Sequence, residues 1–257
     1  MKTSQGSADA RASMQASVTA KHGAYVPGLL TVLMPVYNEV ATLPEALTRV
    51  LDAPVEKEVI IVDDASTDGT REFLQQQVDG HYQQVRVLYL DANGGKGTAI
   101  RAAIPHIRGE FVVIQDGDLE YDPQDYPLLL RPMMEDGAHI VYGSRFLKSR
   151  PKMRLPNRFI NWLLALIVRV FFRAPITDEA TCYKAFRSEV LASIPLACRR
   201  FEFCPEVTAK ALRRGYRIVE VPIRYTARSK AEGKKIRWTD GITAVWTLLR
   251  YRFWRPR

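Results

Sequence analysis

Short apolar runs rich in β-branched residues alternate with stretches of helical periodicity through the first half of the chain. Leu29–Met34, Val59–Val62, Val85–Leu90, Phe111–Gln115 and His139–Tyr142 read as short buried strands. Residues 40–52, 68–78, 97–107 and 123–135 read as helices between them, the last with Asp122 as a cap and Pro123 in its first turn. This rhythm predicts an α/β fold with a mostly parallel sheet wrapped by helices. The second half is less regular. Residues 156–173 form an aromatic-rich apolar helix punctuated by arginines, and 205–215 a helix closed by Gly215. Arg217–Val221 resembles a strand, with Pro222 favouring an edge or a turn, and a basic, aromatic helix covers 238–253. No linker separates two independent domains, and no repeat of solenoid period is visible.

Composition adds a polarity to this picture. The chain has 257 residues and a net charge of +9, but residues 1–144 hold 11 Lys+Arg against 20 Asp+Glu, and residues 145–257 hold 26 against 8. An acidic first half and a basic second half suggest a metal-binding pole and a pole facing anions or a membrane. Nucleic acid is not expected, because zinc-ligand spacing, RNP-like aromatics and a basic stretch leading into heptads are all missing. Cys182, Cys198 and Cys204 are odd in number and form no Cys-x-x-Cys pair, which fits core fillers in a reducing compartment. The four histidines are scattered. Residues 1–27, rich in Ser, Ala, Gly and Gln, read as disordered and lack the apolar centre of a secretory signal. The longest apolar run, Phe159 to Val168, is broken by Arg169 and is short for a hydrocarbon core of about 30 Å.

Candidate chemistry gathers where strands end. The run Phe111-Val112-Val113-Ile114-Gln115-Asp116-Gly117-Asp118-Leu119-Glu120 passes from a buried strand into three closely spaced carboxylates. Open α/β sheets bind ligands at that edge, and packed carboxylates call for a cation such as Mg²⁺ or Mn²⁺, or for a proton. An acidic turn with a helix cap is the alternative. Three loops accompany this run. After the first strand, Pro35 stops the chain's extended course, Tyr37 offers an aromatic face, Glu39 a polar group, and Asn38 either a polar group or a helix cap. After the second, Val62-Asp63-Asp64 presents carboxylates suited to a nucleobase or ribose, with Ser66, Thr67 or Asp68 able to cap the next helix. The third, Asn93-Gly94-Gly95-Lys96-Gly97-Thr98, permits close backbone approach with Lys96 near a phosphate, yet lacks Walker A spacing. No Gly-x-Gly-x-x-Gly follows the first strand, which disfavours a dinucleotide site.

In this order, Pro-x-Tyr-Asn-Glu, Val-Asp-Asp-x-Ser, Gly-x-Lys-Gly and Asp-x-Asp resemble the glycosyltransferase family 2 pattern on a GT-A fold, from about Leu29 to Trp238. The set is especially similar to dolichyl- and polyprenyl-phosphate sugar transferases, including the mannosyltransferases. Gly143-Ser144-Arg145 and the stretch from Arg228 to Lys234 also look like segments of theirs. The resemblance implies a Rossmann-like GT-A domain over 28–237, with an interface helix at about 156–173 and a basic amphipathic helix at 238–257. Pro35, Tyr37, Glu39, Asp64, Lys96, Asp116 and Gly117 would hold the nucleotide, with Val62 beside the base. Asp116, Asp118 and Glu120 would bind Mg²⁺ or Mn²⁺, while Arg145, Arg228 and Lys234 would meet the acceptor phosphate or donor diphosphate. The dolichol branch often has Gln at the position of Glu120, so a carboxylate there could alter metal preference.

The implied activity is an inverting transfer of a mannose- or glucose-type hexose. The donor would be a GDP- or UDP-sugar and the acceptor a polyprenyl phosphate, at the cytoplasmic face of the cell membrane. A hydroxyl acceptor remains the alternative, with Glu202 or Glu206 as general base, although Glu206 equally suits a favourable charge in a first helical turn. A non-catalytic membrane or nucleic-acid binder retaining the fold is a third reading, against which the intact carboxylate set argues. The helix at 156–173 and the C-terminal helix interleave Trp, Phe and Leu with Arg, as interfacial helices do; a core helix and a dimer contact are the bland counterparts.

Overall fold

The central strands are apolar at nearly every position, and their alternate residues feed two separate cores. In β1 (Val26–Val36), Val32, Met34 and Val36 join one cluster and Leu33 the other. In β4 (Gly109–Ile114), Phe111 and Val113 take the first face, Val112 and Ile114 the second. The computed structural model describes residues 24–148, 153, 155–227 and 238–256. With β2 (Lys57–Asp63), β3 (Val85–Tyr89), β5 (Ile140–Ser144), β6 (Lys184–Arg187) and β7 (Ile218–Pro222), these strands form one sheet in the order β3-β2-β1-β4-β6-β5-β7. Every pairing is parallel except those made by β6, which runs against β4 and β5.

The helices are α1 (Leu43–Leu51), α2 (Thr70–Gln77), α3 (Lys96–Ala103), α4 (Tyr126–Glu135), α5 (Leu155–Phe172), α6 (Ser188–Ser193), α7 (Phe203–Arg213) and α8 (Trp238–Arg252). Leu43 and Leu47 of α1, Leu74 of α2 and Leu129 and Met133 of α4 cover the first face of the sheet. Ile100 of α3, Val190 of α6 and Phe203 and Val207 of α7 cover the second. Leu164 and Val168 of α5 and Leu248 of α8 build a third cluster with Ala209 of α7, so α5 and α8 form an outer layer over α7.

All the strands expected in the first half are present with shifted ends. Three expectations need correction. Extended pairing begins at Val26, inside the stretch read as disordered; Val26 N–H donates to Arg108 O at 2.8 Å, and residues 1–23 lie outside the described set. Pro35 does not stop β1, which runs on to Val36 beside β2. Pairing with β4 has already ended at Leu33, so the missing N–H is tolerated there. The helix expected at 156–173 is present as α5, but the reading that its apolar run is short for a membrane is corrected: its 18 residues, with a mean hydropathy of 1.4, meet the length and composition needed to cross one. Its buried face, with Leu164 and Val168, nevertheless packs on the protein.

Gly215 closes α7 as expected. Its φ is +83°, and Tyr216 N–H reaches back to Ala211 O at 3.1 Å, the paired bonds of a Schellman end. Pro222 ends β7 at the sheet edge. The sequence did not announce β6 or α6. Four residues, Lys184-Ala185-Phe186-Arg187, carry too little periodicity to mark a strand.

Candidate active site

The chain steps outward from β1 to β2 and β3, then returns to lay β4 on the other side of β1. Such a reversal opens a crevice at the carboxyl ends of the two strands. Residues 37–39 and 115–120 border it. The first two loops, after β1 and β2, are stitched together beside it. Asn38 N–H donates to Ser66 Oγ at 2.9 Å, Thr67 N–H donates to Asn38 Oδ1 at 2.8 Å, and Glu39 N–H donates to Thr70 Oγ1 at 2.9 Å. Asn38, with φ +52°, is therefore a loop cross-link; the residue flanking α1 is Thr42. Thr42 Oγ1 lies 3.0 Å from Glu39 Oε2 and 2.7 Å from Gly117 O, tying the first loop to the carboxylate turn.

Asp64 is 2% exposed and organises the glycine loop: Gly94 and Gly95 N–H groups donate to its two oxygens at 2.8 and 2.7 Å. Burial raises its pKa, and the two N–H groups hold that rise in check. Val62, expected beside a base, is 1% exposed and belongs to the second core cluster with Leu33 and Ile60. The strand's alternation turns its side chain inward. Gly95 has φ +87°, and a Cβ there would lie 2.6 Å from Arg199 O. Lys96, at the start of α3, places its ammonium on Asp116 Oδ1 and 3.1 Å from Cys182 Sγ. Burial opposes its charge, but the Asp116 carboxylate together with Cys182 and Cys204 outweighs that, holding the lysine's pKa well above its ordinary range. Cys182 is thus part of the site, while Cys198 and Cys204 are buried as expected.

The donor set fits a divalent cation in part. Asp116 and Asp118 place hard oxygen donors on one short turn, and a cation already stands on the first of them in the form of the Lys96 ammonium. The expected third ligand, Glu120, has partners of its own. Glu120 Oε2 accepts from the Tyr225 hydroxyl at 3.0 Å, its backbone N–H donates to Asp118 Oδ1 at 3.1 Å, and no three-residue ligand cluster occurs among the described residues.

Arg145 ends β5 at the same rim, 7% exposed, and Asp178 grips it. Its Nε and Nη2 donate to the two carboxylate oxygens at 2.7 Å each, and its backbone N–H donates to Oδ2 at 3.0 Å. Asp178 is held in turn by Glu220 of β7, which accepts from Thr177 and Asp178 N–H at 2.7 and 2.9 Å. The remaining faces of Arg145 lie over Phe146 and Tyr225, 5.7 and 5.0 Å from their ring centroids. Arg228 and Lys234 lie outside the described residues.

Glu202 and Glu206 both serve the segment that lies on the glycine loop. Glu206, fully buried, accepts from Ala197 and Cys198 N–H at 2.9 and 2.6 Å and pairs with Lys210. Burial opposes its ionisation, but these donors prevail and hold its pKa below the ordinary range. Glu202 Oε1 accepts from Arg199 N–H at 2.8 Å. Arg199 and Arg200 carbonyls then receive the Thr98 and Gly97 N–H groups at 3.0 and 3.1 Å.

Cys182, Asp178, Glu220 and Tyr225 were not singled out from sequence. Only the Asp178-Glu179 pair offered a signal, as adjacent carboxylates in an otherwise basic half.

The profile of the family described as Glycosyl transferase family 2 matches residues 31–194. An undecaprenyl-phosphate mannosyltransferase of Micrococcus luteus is 32% identical over 240 residues, covering 86% of this chain and 97% of that protein. A polyprenol monophosphomannose synthase of Mycolicibacterium smegmatis is 30% identical over 229 residues, covering 84% and 85%. Glucosyl-3-phosphoglycerate synthase of Mycobacterium tuberculosis, solved with Mn²⁺, UDP and glucosyl-3-phosphoglycerate, matches with a TM-score of 0.64 at 20% identity, covering 92% of this chain and 82% of that one. At that identity the likeness concerns the fold.

Proposed function

The chain belongs to glycosyl transferase family 2 and is a glycosyltransferase, and from that premise we propose that it moves a hexose from a nucleotide sugar to a polyprenyl phosphate at a membrane surface, with inversion. The observation that carries the choice of acceptor is the engagement of both candidate bases. Glu206 is buried against Lys210 and two backbone N–H groups, and Glu202 holds Arg199. A hydroxyl nucleophile needs a base to take its proton, whereas a phosphate monoester, with a second pKa of about 6, attacks as its own dianion near neutral pH. The two lipid-phosphate transferases similar to most of the chain point the same way.

The mechanism follows from charge. Tyr37, Glu39 and Asp64 border the nucleotide side, with Pro35 and Gly117 shaping the backbone there. A divalent cation bound by Asp116 and Asp118 would supply neutralising charge at the leaving diphosphate. Lys96, standing on Asp116, faces the same region and favours negative charge there. The lipid phosphate enters from the side of Arg145, and the family resemblance assigns to Arg228 and Lys234 the positive charge that offsets its repulsion from the donor. Because Asp178 neutralises Arg145, that residue acts chiefly by orientation and the other two by charge.

Docking at the membrane falls to the outer layer. Phe159, Trp162, Val170 and Phe171 on α5, and Ile242 and Trp246 on α8, are exposed large apolar side chains. On this reading they enter the headgroup region of the inner leaflet while the inner faces of both helices stay packed.

Incubating the enzyme with a panel of GDP- and UDP-hexoses, undecaprenyl phosphate and Mg²⁺ or Mn²⁺ is expected to yield a polyprenyl monophosphate hexose, identified by mass. Sugar found on a hydroxyl acceptor alone would overturn the reading. Glu206→Gln is expected to cost about 3 kcal/mol of stability, because Lys210 is left buried without its carboxylate. Turnover per folded molecule should survive; its collapse would restore Glu206 as a base.

A further inference from the structure

The C-terminal ends of α5, α7 and α8 meet around one cavity. Gly241 of α8 lies against Ile160 of α5, so these two helices run alongside one another. At the end of α7, Arg213 Nε donates to Trp254 O, just past α8, at 2.9 Å. The cavity between the three ends has a volume of about 270 Å³ and is lined by Phe171, Phe172, Arg173, Leu212, Arg213 and Arg252. Among the described residues, no carboxylate forms a salt bridge with any of the three arginines. Helix C-termini favour cations, which accounts for an arginine at each end. It does not account for their convergence on one hollow, where like charges repel unless an anion stands between them. Arg173 follows α5 directly with φ +56°, a left-handed conformation for which glycine is the usual choice at a helix end. An arginine there sets a long cationic side chain on the cavity wall at the expense of backbone comfort.

This cavity is separate from the catalytic crevice. From α7 the chain passes through Gly215 into the start of β7, which runs parallel to β5, whereas Arg145 follows the carboxyl end of β5. The cavity therefore lies by the opposite ends of those strands. Its neighbours Val170, Phe171 and Phe253 are exposed parts of the apolar layer. Guanidinium groups bordered by exposed apolar side chains match a ligand with a phosphate head and hydrocarbon tails. The volume falls below the roughly 300 Å³ at which sites for larger polar ligands such as a nucleotide begin. We propose that this pocket binds the phosphate group of an anionic phospholipid. Holding a headgroup at the far end of α5, whose 18 residues span about 27 Å, would fix the tilt of the layer on the bilayer. The membrane setting rests on the function argued above.

Cosedimentation of the full-length enzyme with vesicles tests the pocket. One set is phosphatidylcholine, the other equal parts of phosphatidylcholine and phosphatidylglycerol. Arg213→Lys keeps the charge without the planar fork, Arg252→Gln removes a charge, and Arg173→Gly removes the side chain while suiting the left-handed backbone. Arg158→Gln and Arg250→Gln remove exposed charges elsewhere on α5 and α8. Affinity for the anionic vesicles is expected to fall about tenfold in Arg252→Gln and Arg173→Gly and about fivefold in Arg213→Lys, against about twofold in the two controls. Binding to phosphatidylcholine alone should stay as in wild type, and so should sugar transfer in detergent. Equal losses in pocket and control variants, or Arg213→Lys binding as wild type does, would show diffuse charge and overturn the proposal. Inorganic phosphate that raises the melting temperature through these arginines, while vesicle binding ignores them, would assign the pocket to a free anion and also overturn it. A wild type that binds both vesicle types equally removes the pocket and leaves membrane docking standing; one that binds neither removes both.

Discussion

Glu179 illustrates how much of the chain's charge chemistry lies away from the reaction. It is 1% exposed, next to the aspartate that grips Arg145, and its backbone carbonyl takes the Nζ of Lys184 at 2.6 Å. Burial pushes its carboxyl up from an ordinary 4.5 to about 7, with Lys184 opposing. The folded chain thus keeps a proton that the unfolded chain releases. The stability this confers is complete below pH 4.5 and disappears as the pH rises through 7, an effect of the order of 3 kcal/mol. Glu179→Gln is expected to flatten that dependence and to raise the melting temperature at pH 8, as thermal unfolding at a series of pH values would show. At this scale the sequence was readable where a carboxylate follows an apolar strand, as at Asp64, Asp116 and Asp118. It said less at Val62, whose side chain strand alternation buries, and at Glu120, whose partner Tyr225 lies 105 positions away.

Among the elements, the glycine loop shows how a site is held from outside. The segment 197–200, fixed by Glu202 and Glu206, lies so close to Gly95 that a methyl group would press on Arg199 O. Gly95 also has φ +87° and ψ 166°, a region essentially reserved to glycine, at a penalty of about 1–3 kcal/mol for other residues. Gly95→Ala is therefore expected to lower the melting temperature modestly and to raise the donor KM about tenfold by displacing Lys96. Steady-state kinetics with the donor varied would test this, and an unaltered donor KM would show that the loop has no part in binding it. The parallel half of the fold was legible because each strand and helix there is long enough to display its period. β6 was not, being four residues long, and its omission hid the site's second side. Only the reversal of β6 carries Asp178 and Cys182 to the rim where the other strands end.

The molecule as a whole is polarised: carboxylates gather at the crevice between β1 and β4, while the arginine-rich half carries the exposed aromatic layer. Trp162 and Trp246 are 56% and 65% exposed. Replacing either by Ala is expected to weaken binding to liposomes containing anionic lipid by about tenfold, the equivalent of losing a large apolar side chain from the interface. Raising the salt concentration should weaken it further by screening the arginines. Sedimentation with neutral and anionic vesicles measures both, and binding that neither change reduces would remove this face from the membrane. The charge asymmetry was visible in composition; the joining of α5 and α8 into one layer was not, since their contact through Ile160 and Gly241 links residues far apart along the chain.

The grip of Asp178 on Arg145 has one more consequence. It joins residues 33 positions apart, with Thr177 on Glu220 and Ser144 beside it, so that the stretch carrying α5 leaves the sheet after β5 and returns at the same rim. Such a closed loop behaves as an interchangeable cartridge. A different helix could replace α5, even one that spans a bilayer, provided it keeps the inward Leu164, Ile167 and Val168. The strand register, and with it the donor crevice, would not sense the exchange. One catalytic platform could in this way be moored to membranes by very different means, with the choice written in the stretch between Arg145 and Asp178.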